Sequence, residues 1–190
     1  MSEQVERRAP PYAGEGPHAL WHVSEDATIA RFEPHVAATS VETERLVWAI
    51  DTRHLPAYWF PRGCPRATFW PKEDTSDADL ERLLAGERRR VHAIECGWID
   101  RFRDARVVAY RLPDQPFEPY PAAAGHWVAR EAVAPLEVVE LGDLLRRHAE
   151  AEIELRIVPN LWPLWDRVIA STLDFSGIRL ANARPRPPPR

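Results

Sequence analysis

The sequence predicts an α+β fold, a single compact domain with a strand-rich core of mostly antiparallel strands and flanking helices. Short apolar runs bounded by turn residues, which are typical of buried strands, dominate the middle of the chain. Helical patterns occur between these runs but do not alternate with them regularly, which disfavours a parallel βαβ sheet. The 190 residues suffice for a core, and 45% hydrophobic with 28% charged residues is typical of a soluble globular protein.

Strands are predicted where β-branched and aromatic residues concentrate, at residues 19–23, 46–51, 90–95, 106–112, 126–130, 136–140 and 153–158. Helices are predicted at residues 52–60, 77–85, 96–103, 142–151 and 162–172. Ser76 and Asp79 approximate a capping box for the second helix. Asn160 and Pro163 are suited to begin the last helix.

The two ends of the chain differ in composition from its centre. Residues 1–17 are polar and rich in proline and glycine, so we expect a flexible N-terminal arm before a globular domain over residues 18–182. Residues 183–190 consist largely of proline and arginine and predict a disordered tail. No apolar run reaches the about 20 residues of a membrane span, and the N-terminus lacks a signal-peptide core. We therefore expect a cytoplasmic protein with no membrane contact.

Composition and short motifs also limit the ligands that we expect. A net charge of −4 gives no strong signal for nucleic-acid binding. Cys64 and Cys96 lack the closely spaced partners of a zinc site, so no metal is expected. Neither a P-loop nor a G-x-G-x-x-G motif is present, which excludes the commonest nucleotide-binding folds. The oligomeric state stays open.

A histidine and several aromatic residues fall at the ends of the first two predicted strands. His22 ends the first apolar run, Trp48 lies in the second, and Tyr58 lies on the helix that follows. Neighbouring strands would place the imidazole and the aromatic rings side by side in one crevice. Histidine can bind a ribose hydroxyl or transfer a proton, and an aromatic ring can stack on nicotinamide or a base. The alternative is core packing.

Two further segments carry reactive side chains. Arg62 and Arg66 flank Cys64 in a proline-constrained loop, which fits a structural loop, a phosphate clamp or an activated thiol. Glu118 lies in a proline-rich segment after a predicted strand. A carboxylate there could stabilise an oxocarbenium-like centre, or it could belong to a solvated acidic loop.

Two resemblances emerge from these segments. The Leu-Trp-His-Val-Ser run at 20–24, the strand at 47–51, the loop at 60–66, and residues 161–166 and 175–180 are together similar to an uncharacterised bacterial domain of unknown function. The match covers most of the chain and implies relatives but no activity. Residues 21–24, 47–50 and 129–133, in this order and spacing, resemble strands of ADP-ribosyltransferase-like proteins, especially the rifampin ADP-ribosyltransferases.

The second resemblance implies an ADP-ribosyltransferase-like fold and a transferase or glycohydrolase that uses NAD as substrate. His22 would bind the nicotinamide-side ribose, Trp48 or Tyr58 would stack on the nicotinamide, and a carboxylate near Glu118 would support transfer. Val23 and Trp48 replace a glycine and a tyrosine of that family.

Two other functions remain open. One is a non-catalytic module that binds a small-molecule nucleotide or a peptide. The other is a phosphate-recognising RNA-end enzyme in which Arg62, Arg66 and His22 hold the phosphate.

Overall fold

The computed structural model describes residues 9–36 and 43–188. The strands of these residues are β1 (Leu20–Ser24), β2 (Val47–Asp51), β3 (Arg66–Trp70), β4 (Val91–Glu95), β5 (Val108–Leu112), β6 (Glu118–Pro119), β7 (His126–Ala129), β8 (Glu137–Glu140), β9 (Glu154–Val158) and β10 (Asp174–Ile178). The α-helices are α1 (Asp77–Leu84), α2 (Ile99–Asp104), α3 (Leu144–Glu150) and α4 (Trp162–Ile169). Shorter 3-10 helices occupy Leu55–Tyr58, Cys96–Trp98 and Leu180–Asn182.

The predicted α+β class and mostly antiparallel pairing are confirmed. Within the described residues, one sheet has the strand order β6-β7-β2-β1-β5-β8, and a second has the order β10-β3-β4-β9. The pairs of the first sheet are antiparallel, whereas β4 and β9 of the second run parallel. The helix expected at 52–60 is shorter, a 3-10 helix over Leu55–Tyr58.

The chain divides into two compact units. Unit 1 contains Met1–Glu15, Phe60–Ala105 and Asp143–Arg190, and it holds the sheet with β3 and β4 at its centre. Unit 2 contains Gly16–Trp59 and Arg106–Gly142 and holds the six-stranded sheet. The domain boundaries expected from the sequence stay predictions.

One face of the sheet of unit 2 carries a buried hydrophobic cluster. Leu20 pairs with Asp51, so Leu20 shares a face with Ala49 and Val47, which alternate with Ile50 and Trp48 along β2. The buried cluster on this face consists of Leu20, Phe32, Val47, Ala49, Val108, Tyr110, Leu112, Phe117, Ala129 and Val133.

Unit 1 packs helices against its sheet. The buried cluster on one face comes from β3, β4, α1, α4 and the loops beside α4: Ala67, Phe69, Leu80, Leu83, Leu84, Val91, Ala93, Leu161, Leu164, Val168 and Leu173. The Ser76 hydroxyl accepts a hydrogen bond from the Asp79 amide and so begins α1, as the capping box predicts.

The predicted arm and tail lie partly outside the described residues, at 1–8 and 189–190. Of the described part of the arm, Ala9 is buried, and the guanidinium of Arg90 donates to the Pro10 carbonyl and lies 5.4 Å from the ring centre of Tyr12. Within the described ranges, no helix is long and apolar enough to span a membrane.

Candidate functional site

The candidate site begins where two central strands of unit 2 separate. Among the described residues, the ladder between β1 and β2 contains the pairs Leu20–Asp51 and Trp21–Ile50. On its other side, β1 pairs with β5 along all 5 of its residues. The sheet is therefore closed between β1 and β5 but opens between β1 and β2 from His22 onward.

The imidazole of His22 lies at this opening. Its Nδ1 donates to the carbonyl oxygen of Trp48 at 2.9 Å, and its ring centre lies 4.6 Å from that of Phe32. Because a carbonyl oxygen only accepts, Nδ1 carries the proton and Nε2 of the neutral ring is the acceptor nitrogen. The tautomer and the orientation of His22 are thus both fixed.

The side chains of His22 and Trp48 leave opposite faces of the sheet. His22 follows Leu20 by two residues and shares its face, whereas Trp48 shares the face of Ile50. His22 therefore contacts the backbone of Trp48 and not its indole. The expectation that these two side chains line one crevice is not met.

Trp48 belongs instead to an aromatic cluster, which we define as Trp48, Tyr58, Tyr120 and His126. The ring centre of Trp48 lies 4.9 Å from that of Tyr120 and 6.2 Å from that of His126. The Tyr58 hydroxyl lies 2.8 Å from Nε2 of His126, whose Nδ1 lies 3.1 Å from the Ala124 carbonyl oxygen. Nδ1 must donate to that carbonyl, so Nε2 accepts from the tyrosine.

Burial lowers the pKa of His126, and the positive charge of His54 contributes in the same direction.

Sequence reasoning selected Trp48 and Tyr58 but missed Tyr120 and His126. The usable signal for His126 was its position at the start of the predicted strand 126–130.

An aspartate–histidine pair lies at the end of β2. Oδ1 of Asp51 accepts from Nδ1 of His54 at 2.8 Å and from the His54 backbone amide at 2.9 Å. Burial raises the pKa of Asp51, but the hydrogen bonds and the charge of His54 outweigh it, so the pKa is lowered overall. Sequence reasoning also missed this pair, although an aspartate that ends a strand three residues before a histidine is a recognisable signal.

Glu118 lies on the exposed edge strand β6 and is ion-paired. Its carboxylate accepts from Nη1 of Arg130, whose Nε donates to Glu44 at 2.7 Å. Glu118 and Trp48 both pair with Val128, so they share one face of the sheet on either side of β7. Two strand spacings separate their backbones by about 10 Å.

A model of the family of unknown function DUF6886 matches residues 21–183, most of the chain. The chain belongs to this family. Comparisons with curated proteins and with solved structures give no match. The resemblance to a domain of unknown function is thereby confirmed, and the resemblance to ADP-ribosyltransferases stays a prediction.

The DUF6886 match also covers the arginine-flanked loop, which lies in unit 1. Arg66 is 4% exposed, donates to the Cys64 carbonyl oxygen at 2.9 Å, and lies 5.0 Å from the ring centre of Phe60. Burial raises the pKa of the Cys64 thiol to about 12, so Cys64 is an unreactive neutral thiol. Arg62 is exposed. These contacts favour the structural interpretation for Cys64 and Arg66.

Among the described residues, no group of three or more histidine, cysteine, aspartate or glutamate side chains is arranged to hold a metal ion.

Proposed function

We propose that unit 2 binds NAD at the opening between β1 and β2, and that the protein is an ADP-ribosyl transferase or an NAD glycohydrolase. The observation that supports this proposal best is the hydrogen bond from His22 Nδ1 to the Trp48 carbonyl oxygen. It holds Nε2 in the acceptor form that a ribose hydroxyl requires. The ladder between β1 and β2 ends before His22, and the His22 side chain bonds to the β2 backbone beyond that point.

The proposed reaction breaks the bond between ribose and nicotinamide. Nicotinamide leaves as a neutral molecule with the bonding electron pair, and an acceptor oxygen bonds to the ribose carbon and loses its proton. A positioned ribose, a stacked leaving group and a carboxylate facing the developing cation supply most of what this step needs. His22 is the candidate for the first role, and Trp48 or Tyr58 and Glu118 are the candidates for the other two. Because Trp48 and Glu118 lie on the opposite face of the sheet from His22, the proposal requires a ligand that passes through the opening between β1 and β2.

A non-catalytic nucleotide-binding module is the second candidate, and the contacts of Glu118 favour it. The Arg130 guanidinium partly neutralises this carboxylate, which weakens it as a partner for a developing cation. A phosphate-recognising RNA-end enzyme is less favoured, because Arg66 is buried in contacts with Cys64 and Phe60.

Binding is tested by titrating the full chain with NAD in a calorimeter. We expect saturable binding that becomes at least about tenfold weaker in His22→Ala, because the variant loses the ribose acceptor. His35→Ala is the matched control, since His35 is an exposed histidine of unit 2. Absence of binding at millimolar NAD, or equal binding by both variants, would contradict the NAD site.

Catalysis is tested by following nicotinamide release from NAD. We expect Glu118→Gln to lower release by at least about a hundredfold while NAD affinity changes little, because the carboxylate acts mainly on the transition state. Glu137→Gln on the opposite edge strand is the control, since Glu137 is also an exposed, arginine-paired glutamate. NAD binding without release in the unmodified protein would favour the non-catalytic module.

A further inference from the structure

Residues 184–186 of unit 1 lie in a groove formed by the side chains of Glu95, Asn160, Trp162 and Asp166. The Arg184 amide donates to both carboxylate oxygens of Glu95, at 3.2 and 3.0 Å. The Trp162 indole donates to the Arg184 carbonyl oxygen at 2.7 Å, and the Asn160 side chain donates to that of Pro185 at 3.0 Å. Two successive residues are thus held through their backbone, which is how grooves bind extended peptides irrespective of side chain.

The side chain of Arg186 adds selectivity to this groove. Its Nη1 lies 2.8 and 2.7 Å from the two carboxylate oxygens of Asp166. Its guanidinium carbon lies 4.2 Å from the ring centre of Trp162, so charge pairing and a cation–π contact act together. An arginine two residues after the backbone-bound position is therefore favoured over a neutral residue.

The buried carboxylate of Glu95 makes an empty groove energetically unfavourable. This carboxylate is only 2% exposed, and it also accepts from the Leu161 amide at the start of α4. If residues 184–186 leave, the buried carboxylate of Glu95 loses the Arg184 amide, to which both of its oxygens are hydrogen-bonded. Losing a donor is costly for a charge in a low-dielectric site. The outer contact of Asp166 with Arg186 is half exposed and costs little to break.

We propose that Glu95, Asn160, Trp162 and Asp166 form a binding site for a basic, proline-containing peptide of the type Arg-Pro-Arg, which residues 184–186 occupy within the same chain. The site lies in unit 1 and is independent of the proposed NAD chemistry. An external peptide of this type competes with the chain's own segment.

The test uses a fluorescent peptide with the sequence of residues 182–188 and the full chain carrying Arg184→Pro. Proline removes the amide that Glu95 binds and releases the internal segment, whereas the control Arg184→Ala keeps that amide. We expect Arg184→Pro to bind the peptide at least about tenfold more tightly than Arg184→Ala does. A peptide with alanine in place of Arg186 is expected to bind about tenfold more weakly.

A second measurement keeps the proposal testable if Arg184→Pro fails to fold. Hydrogen exchange of the Arg184 amide is followed in the unmodified chain, with and without millimolar peptide. Faster exchange with the peptide supports competition for the groove. Unchanged exchange, or equal binding of the arginine and alanine peptides to the folded variant, would overturn the proposal.

Discussion

At the scale of single residues, His92 and His148 of unit 1 show how one hydrogen bond determines the next. Nδ1 of His148 donates to the Leu144 carbonyl oxygen at 2.7 Å, so its Nε2 must accept from Nδ1 of His92, 3.0 Å away. Nε2 of His92 is then an acceptor, and it has no hydrogen-bond partner among the described residues. A proton added to Nε2 of His148 would break the hydrogen bond between the two rings. A proton added to Nε2 of His92 would place a positive charge on a buried nitrogen.

We expect this pair to make the protein less stable in mild acid. Burial, followed by neighbouring positive charges, lowers the pKa of His92 well below 6.5, and burial lowers that of His148 to about 4. Below the unfolded value the unfolded chain therefore binds more protons than the folded one. His148 then removes about 1 kcal/mol of unfolding free energy per pH unit between pH of about 6 and 4, and His92 acts in the same direction.

Urea denaturation between about pH 7 and pH 5 measures this effect, since the linkage acts on the unfolding midpoint. His35→Ala, at an exposed histidine, should keep the full dependence on pH. His92→Leu should reduce it by removing one of the two groups. A midpoint that stays constant over this range in the unmodified protein would show that the two imidazoles are not held neutral.

At the scale of elements, helices and strands with local sequence signals were predicted better than elements that depend on contacts with distant parts of the chain. The helices α1 to α4 and seven of the strands begin and end near their predicted positions, because periodicity and capping are local. β3 was not predicted, because prolines flank it and its first residue is charged. Arg66 is buried there only because the Cys64 carbonyl and the Phe60 ring receive it.

β10 escaped prediction for a different reason. It contains Gly177, a residue that weakens a strand in isolation. A Cβ at this position would lie 2.7 Å from the Trp165 ring, so the glycine permits a close approach between α4 and β10. Such an approach depends on tertiary packing that a local pattern does not contain.

The turn before β7 holds the Asp51–His54 pair in place. Gly125 has a φ of +74°, and a Cβ there would lie 2.2 Å from Nδ1 of His54. We expect Gly125→Ala to lower the unfolding free energy by about 2 kcal/mol or more, because backbone strain and a steric clash add together.

Gly142→Ala is the matched control for this turn, measured by the same urea denaturation. Gly142 also lies in unit 2 with a positive φ, but its Cβ would meet nothing within 4 Å. Gly142→Ala should lower the unfolding free energy only by the strain of the left-handed backbone, about 1 kcal/mol. Equal losses in the two variants would mean that His54 moves aside without cost.

At the scale of the whole molecule, the class of the fold was predictable and the candidate site only in part. His22 and Trp48 were selected because they lie in apolar runs that predict strands, and Tyr58 because it lies on the short helix that follows. The opposite faces of His22 and Trp48 depend on the register between β1 and β2, and the Tyr58–His126 contact joins residues 68 positions apart. Long-range pairing of this kind is set by the assembled sheet and is not visible in a short stretch of sequence.

The interleaving of the two units has a consequence for synthesis on the ribosome. All strands of unit 2 among the described residues have been synthesised once Glu140 has been added, so its sheet can form while translation continues. β3 and β4 emerge much earlier than β9 and β10, the strands that flank them in unit 1. The nascent chain therefore carries β3 and β4 with their outer edges unpaired until β9 and β10 have been synthesised, and during this interval association with other chains is most favoured.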